Sequence, residues 1–443
     1  MVEVKKEVVG LGHLFYIWNK VTMLKVKISH KSLSFFQKNV LVMFKGTVIS
    51  QIFGFFSAIL LAKMYGSEAF GVLGVYFSIS TIFTIINTLQ LDRVIVLSKH
   101  RHEQINLMNT LFVVVVLMAS FLVAFYCLLE LILDIGLINI CLFFLAVLAS
   151  ILYSYIRIHE SFLTANKTFK PISNAKIFTA ILNFIFQFIL YYKFKVYGLV
   201  YGSILSIFII CIYYFVDNKT YIKPINIKSF WMSAIHNNTI IKYLLPSTLI
   251  NGLANNLMPV LILSFFSLKI SGVYFFSVKV LATPLNLIAN SISEVYFEKS
   301  SSMLTNNTGN ELYKFTKNIV KTNLLIMFVF IITVNSLGIY LLEILLTENW
   351  ENLSLYLLIL SFLILARSTF NPISNIITVL NKNHIGLVFN MYLLAVNLIA
   401  IYVGYLNNNF IHTLIILSLL GGIGYLVLLL FFLRILKNES WEK

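Results

Sequence analysis

The chain has 443 residues, of which 59% are hydrophobic and only 11% charged, with a formal net charge of +16. A soluble domain carries about 25% charged residues, so this composition, with its mean hydropathy of +0.89, excludes one. Nor does the positive charge mark a nucleic-acid binder, because it gathers in alternate segments between apolar runs.

Residues 1–39 carry seven lysines. Lys5 and Lys6 precede an apolar run, but Gly10, Gly12 and His13 interrupt it and no small-x-small cleavage site follows, which argues against a signal peptide. Leu11, Leu14, Phe15, Trp18 and Val21 fit a short interfacial helix; the alternative is that the protein proper begins at Met23. Twelve apolar spans are then predicted, at 40–62, 72–97, 105–130, 137–156, 172–192, 196–216, 240–264, 271–293, 319–346, 353–379, 385–406 and 411–436. This divides the chain into a cytoplasmic segment (1–39), a first lobe (40–216), a linker (217–239), a second lobe (240–436) and a tail (437–443). With the N-terminus inside, the cytoplasmic segments hold 25 of the 33 Lys and Arg, and the outer loops hold only Lys63, Lys193, Lys195 and Lys269. That asymmetry places both termini in the cytoplasm.

Four cations remain, all within predicted spans: Lys45, Arg93, Lys279 and Arg367. A bare cation at the centre of a bilayer costs about 2.5–3.5 kcal/mol even on lenient insertion scales, so such residues face a watery cavity or a partner. Lys45 lies five residues into span one, where it reads as a snorkelling side chain or as a lumenal cation. Arg93, beside Asp92 near the inner end of span two, reads first as interfacial. Span seven carries Pro246, Asn251, Asn255, Asn256 and Pro259, a pattern for a bending helix beside the lumen or for helix–helix hydrogen bonds. Lys279 in span eight has Pro284 about one turn on; its two readings are cargo contact and a bond to those asparagines. Arg367 sits 14 residues into span ten, near mid-membrane by helical rise, with Pro372 expected to kink the helix and free carbonyls. Its other reading is an internal clamp.

Chemistry is otherwise sparse. Cys127, Cys141 and Cys211 all fall in predicted spans with no metal-ligand spacing. His159-Glu160 opens like a zinc-protease motif, but Leu163 stands at the second histidine position. No phosphate loop occurs, and no connection is long enough for a catalytic domain. No metal and no cofactor are therefore expected. Gly74-Val75-Tyr76 and Gly272-Val273-Tyr274 open spans two and eight at a spacing of 198 residues, which suggests two parallel repeats of six spans with the site between them.

Lys45-Gly46 through Ala62-Lys63-Met64-Tyr65-Gly66-Ser67-Glu68-Ala69-Phe70-Gly71 resembles the opening of polysaccharide repeat-unit flippases. Tyr243-Leu244-Leu245-Pro246, then Gly272-Val273-Tyr274, Lys279, Pro284 and Ser291 to Tyr296, resemble that family's second half. The family belongs to the superfamily of multidrug, lipid-oligosaccharide and polysaccharide exporters. The resemblance implies an all-α integral membrane protein with twelve helices in two six-helix lobes, a V-shaped alternating-access transporter of a bacterial cytoplasmic membrane. Its cargo would be an undecaprenyl-diphosphate-linked oligosaccharide for O-antigen or capsule. A polymerase and a chain-length regulator are the implied partners, and proton or sodium coupling stays open. Such cargo is anionic, and lysine and arginine are its natural ligands. The rival reading is a cation-coupled drug or metabolite antiporter, but Asp92, Glu130, Glu294 and Glu343 all lie near span ends. A membrane polymerase or glycosyltransferase would need a large outer loop or a carboxylate constellation, which the chain lacks; Glu343, Glu348 and Glu351 read as an acidic loop.

Overall fold

The computed structural model describes residues 35–98, 100–133, 139–218, 240–305, 309–346 and 350–438. The expected interfacial helix near the N-terminus, nearly all of the 217–239 linker, Glu348 and the end of the tail lie outside these residues. Among the described residues there is no strand. The helices are α1 (Phe35–Thr88), α2 (Asp92–Leu97), α3 (Arg101–Leu133), α4 (Ile140–Ala165), α5 (Phe169–Phe194) and α6 (Gly198–Asn218) in the first half. The second half has α7 (Leu245–Asn256), α8 (Met258–Phe265), α9 (Leu268–Thr305), α10 (Gly309–Thr333), α11 (Ile339–Leu345), α12 (Leu353–Phe370), α13 (Ile376–Val379), α14 (Asn383–Leu406) and α15 (Phe410–Asn438).

Nine helical stretches among the described residues are long and apolar enough to cross a membrane, or ten if α7 and α8, bent by 51°, count as one. Two of them, Val42–Thr88 and Phe169–Val216, each run through two expected spans. At 47 and 48 residues they would be about 70 Å long if straight, over twice a hydrocarbon core of about 30 Å. Each carries a break in its middle, at Gly66 (φ 76°) and at Lys195 (φ 42°). Below, the membrane end where α1 begins is the near end, and the opposite end is the far end.

Span two is shorter than the hydropathy suggests. α1 stops at Thr88, because Leu89 and Gln90 adopt positive φ, and the chain restarts as the six-residue α2. Arg157 on α4 fixes this turn: its Nε donates to Asp92 Oδ2 and its Nη2 to Gln90 Oε1, both at 2.8 Å. The carboxylate of Asp92 is thus committed to Arg157 and not to the neighbouring Arg93.

Breaks in the second half are capped by buried asparagines. Pro372 has no N–H, so the carbonyl of Ser368, four residues back, loses its helical donor. Asn323 on α10 replaces it, with Nδ2 at 2.8 Å from Ser368 O. Span ten accordingly ends its α-helix at Phe370 and continues as a 3-10 turn, Asn371–Ile373. At the 51° bend between α7 and α8, Asn397 on α14 donates to Ala254 O at 2.8 Å. Both asparagines are buried, so neither carbonyl is left bare in an apolar interior.

The two halves meet along the second part of α1 and the first part of α9. A Cβ on Gly272 would collide with the Ser67 carbonyl oxygen, and one on Gly71 with that of Leu268. Glycine is what lets these backbones approach. Above this crossing, Phe70, Phe276 and Trp350 form a cluster with centroids 4.6–5.4 Å apart. The Trp350 indole N–H reaches across to Ala62 O at 3.2 Å. Phe77 stacks on Phe275 at 6.3 Å. These two residues are themselves 198 apart, the offset of the Gly-Val-Tyr repeat, as expected for a pair straddling an axis that relates the halves. The far end is sealed in this conformation.

Candidate functional site

A cavity of about 300 Å³ lies between α1 and α5 in the first half, and one second-half residue, Lys279, reaches it. The contributing faces follow from helical spacing. Ser50, Gly54, Ser57, Ala58 and Leu61 repeat on one face of α1, and Lys176, Thr179, Ala180, Asn183, Phe184 and Gln187 on one face of α5. Phe70, Leu73 and Phe77 also line it, so its far side is formed by the residues of the sealed crossing.

α1 and α5 are tied together on both sides of the cavity. Toward the near end, Ser173 Oγ donates to Val42 O at 2.9 Å and Lys176 Nζ to Thr47 Oγ1 at 3.1 Å. Toward the far end, the Tyr65 hydroxyl donates to Gln187 O, and the Tyr65 and Tyr191 rings meet at 4.9 Å. Between these ties α1 borders open space at Gly54, where an added Cβ would meet nothing within 4 Å. Gln187 Nε2 is occupied by Leu199 O and Ser203 Oγ and holds α6 to the wall.

Lys279 lies eleven residues after the start of α9, about 16 Å along the helix and so near the middle of a bilayer-thick layer. Among the described residues its ammonium has no hydrogen bond and no ion pair. The alternative of a bond to the span-seven asparagines is not what the structure shows. Asn255 donates to Asn251 Oδ1 at 2.5 Å and Asn256 to Gly252 O at 2.9 Å, each within α7. Asn251 and Asn255 are exposed on that helix.

Lys176 falls within the predicted span 172–192, although its charge belongs with the cytoplasmic 25, and in the structure it lies in the second turn of α5. The sequence did hold a signal, since Pro171 falls in the first turn of a helix that begins at Phe169. Of the four intramembrane cations, the cavity takes only Lys279. Lys45 is exposed on α1, about half a turn round from Gly54, and Arg93 is exposed on α2. Arg367 occupies the last turn of α12, where a cation complements the helix dipole. The helix-breaking residues also divide. Pro246 sits in the first turn of α7, Pro284 lies inside α9, and Pro372 is buried in the break after α12. No carboxylate is among the residues lining the cavity.

A structural likeness extends over most of the chain. The lipid II flippase MurJ, in an inward closed conformation, aligns with a TM-score of 0.71 at 16% identity, covering 89% of this chain and 87% of that one. An inward-facing multidrug resistance MATE family transporter of the MOP superfamily aligns at 0.65 and 13% identity, covering 88% and 96%. A MOP superfamily transporter from Pyrococcus furiosus, described as having a binding pocket of reverse polarity, aligns at 0.50 and 13%, covering 90% and 95%. At these identities the likeness shows the fold alone: an all-α, multi-pass membrane fold shared with these transporters. No curated protein sequence matches. The sequence pattern described as polysaccharide biosynthesis protein matches residues 60–355, and the chain therefore belongs to the polysaccharide biosynthesis protein family.

Proposed function

We infer that this protein is a flippase for undecaprenyl-diphosphate-linked oligosaccharide repeat units, moving them from the inner to the outer leaflet of a bacterial cytoplasmic membrane for surface polysaccharide such as O-antigen or capsule. The observation that carries this reading is the cavity holding Lys279 and Lys176 with no carboxylate in its wall. A free ammonium near mid-membrane is costly unless it meets an anion, and a diphosphate offers several acceptor oxygens to both lysines. Family membership supports the link to polysaccharide, and the fold supports translocation in place of bond chemistry. The antiporter reading, with cationic cargo or a bound coupling cation at this cavity, is disfavoured by the charge of the same wall. In the proposed cycle residues 40–216 rock against 240–436, and the far-end crossing opens to release cargo outside.

The test is transport by Lys279→Ala, Lys176→Ala and the double variant in a host whose own gene is deleted. A hydrogen bond to a charged group contributes about 1.5–3 kcal/mol, so each loss should weaken cargo binding about 10- to 150-fold. The complete diphosphate-linked repeat should accumulate on the inner leaflet while surface polymer falls. Wild-type polymer from the double variant at equal expression would overturn the reading.

A further inference from the structure

One aromatic residue of the cavity wall reaches, through a second ring, the outward surface of the first half. Phe184 lines the cavity, and its ring meets that of Phe53 on α1 edge to face, with centroids 5.9 Å apart. Phe53 is 36% exposed and adjoins the outward face of α1, where Ile49, Ile52, Phe56 and Leu60 are also exposed. On α5, Ile181, Ile185 and Phe188 form the corresponding outward face. By helical position Phe53 stands one step round α1 from the lining residue Ser57, and Phe184 stands between the lining and outward faces of α5. The pair therefore marks a strip beside the open space at Gly54, between the near-end tie at Lys176 and Thr47 and the far-end tie at Tyr65 and Gln187.

We propose that this strip is a lateral window, through which the apolar chain of a lipid-linked anionic cargo passes into the membrane while its phosphate groups sit on Lys176 and Lys279. The inference rests on the proposed function for the charged end and adds the site of the apolar end. Its logic is one of matching surfaces. A molecule with a multiply charged head and a long hydrocarbon chain cannot place the chain in a cation-lined cavity without losing its burial in lipid. The Phe53–Phe184 contact is itself apolar, and it joins a ring that lines the cavity to one on the outward apolar surface. The Phe53–Phe184 contact carries no hydrogen bond, so it opens without breaking one, unlike the polar ties at either end of the strip.

The experiment uses the full-length protein in lipid nanodiscs with a radiolabelled polyprenyl diphosphate as probe. A photoreactive benzoylphenylalanine replaces Phe53, Phe184 or, as a control on the lipid face of the same helix, Phe56. Adducts at positions 53 and 184 should exceed those at 56 at least tenfold and should fall when inorganic diphosphate is added. Equal labelling at 53 and 56 overturns the window. In a second arm, Phe53→Cys and Phe184→Cys are joined by a short bifunctional thiol reagent, with Cys127, Cys141 and Cys211 replaced by alanine. The staple should abolish transport of the lipid-linked probe while inorganic diphosphate still binds, and undiminished transport overturns the window. Should inorganic diphosphate fail to bind the wild-type protein, the cationic site falls, and with it the reading on which the window rests. Binding of diphosphate with no excess at position 53 removes the window alone.

Discussion

Trp350→Ala should unseal the far end. The side chain is 6% exposed, packs on Phe70 and Phe276, and donates its indole N–H to Ala62 O across the junction of the halves. Each aromatic pair contributes about 0.5–1.5 kcal/mol beyond its buried area, and the hydrogen bond a net of about the same. Together they favour the sealed state by about 1.5–4.5 kcal/mol, a shift of about ten- to two-thousand-fold in the equilibrium once they are lost. Even the lower figure would take a population sealed at about 99:1 down to about 10:1. Spin labels at positions 63 and 269, one on each half at the far end, would report the change by pulsed electron resonance. Lys269 pairs with Glu351 at 2.7 Å in an exposed setting, and such a pair contributes little to stability, so labelling there is tolerable. A longer inter-label distance should appear or grow in the variant. An unchanged distribution in a normally folded variant would refute the assignment of Trp350 as part of the seal.

Other consequences follow from the capped break and from the near-end ion pair. Asn323→Leu should lower thermal stability in detergent, because the Ser368 carbonyl is left without its donor, at about 1–3 kcal/mol; Asn323→Asp, which cannot donate when ionised, should not restore it, whereas a wild-type melting curve for the leucine variant would discard the cap. Arg157→Met should destabilise by about 3–5 kcal/mol by stranding the buried Asp92 carboxylate, and adding Asp92→Asn should recover most of that. Failure of the second change to rescue would show that Arg157 acts through something other than this pair.

Much of the architecture could be read from apolar runs and their punctuation. Pro372 and the proline–asparagine pattern of span seven do mark breaks, and the Gly-Val-Tyr repeat marks the line along which the halves touch. Hydropathy failed where a local conformation overrode it: span two reads as apolar to residue 97, but the turn at Leu89 and Gln90 is set by Arg157, a residue 65 positions beyond Asp92. The same gap hid Asn323, which caps a carbonyl 45 residues on, and Trp350, whose acceptor lies 288 residues back. Periodicity reports which face of a helix is apolar; it carries no information about which distant backbone group a side chain will satisfy. Lys279 is conspicuous as a lysine inside an apolar span, while Lys176, just after Lys170, Ser173 and Asn174 at a span boundary, is not.

The placement of the helix irregularities has a mechanical consequence. In the first half the departures from helix fall at the turns, at Gly66, Lys195 and Leu89. In the second half, mid-span irregularities recur among the described residues: the bend after Asn256, Pro284 within α9, a π-helical turn at Val334–Gly338 and the break at Pro372. Prolines and π-turns loosen a helix locally, so the two halves differ in stiffness although they share a topology. A force applied at Lys279, which sits on the compliant half but projects into the rigid one, would be absorbed by flexure on one side and transmitted as leverage on the other. Motion in this protein is then lopsided, with one half serving as the frame and the other as the spring.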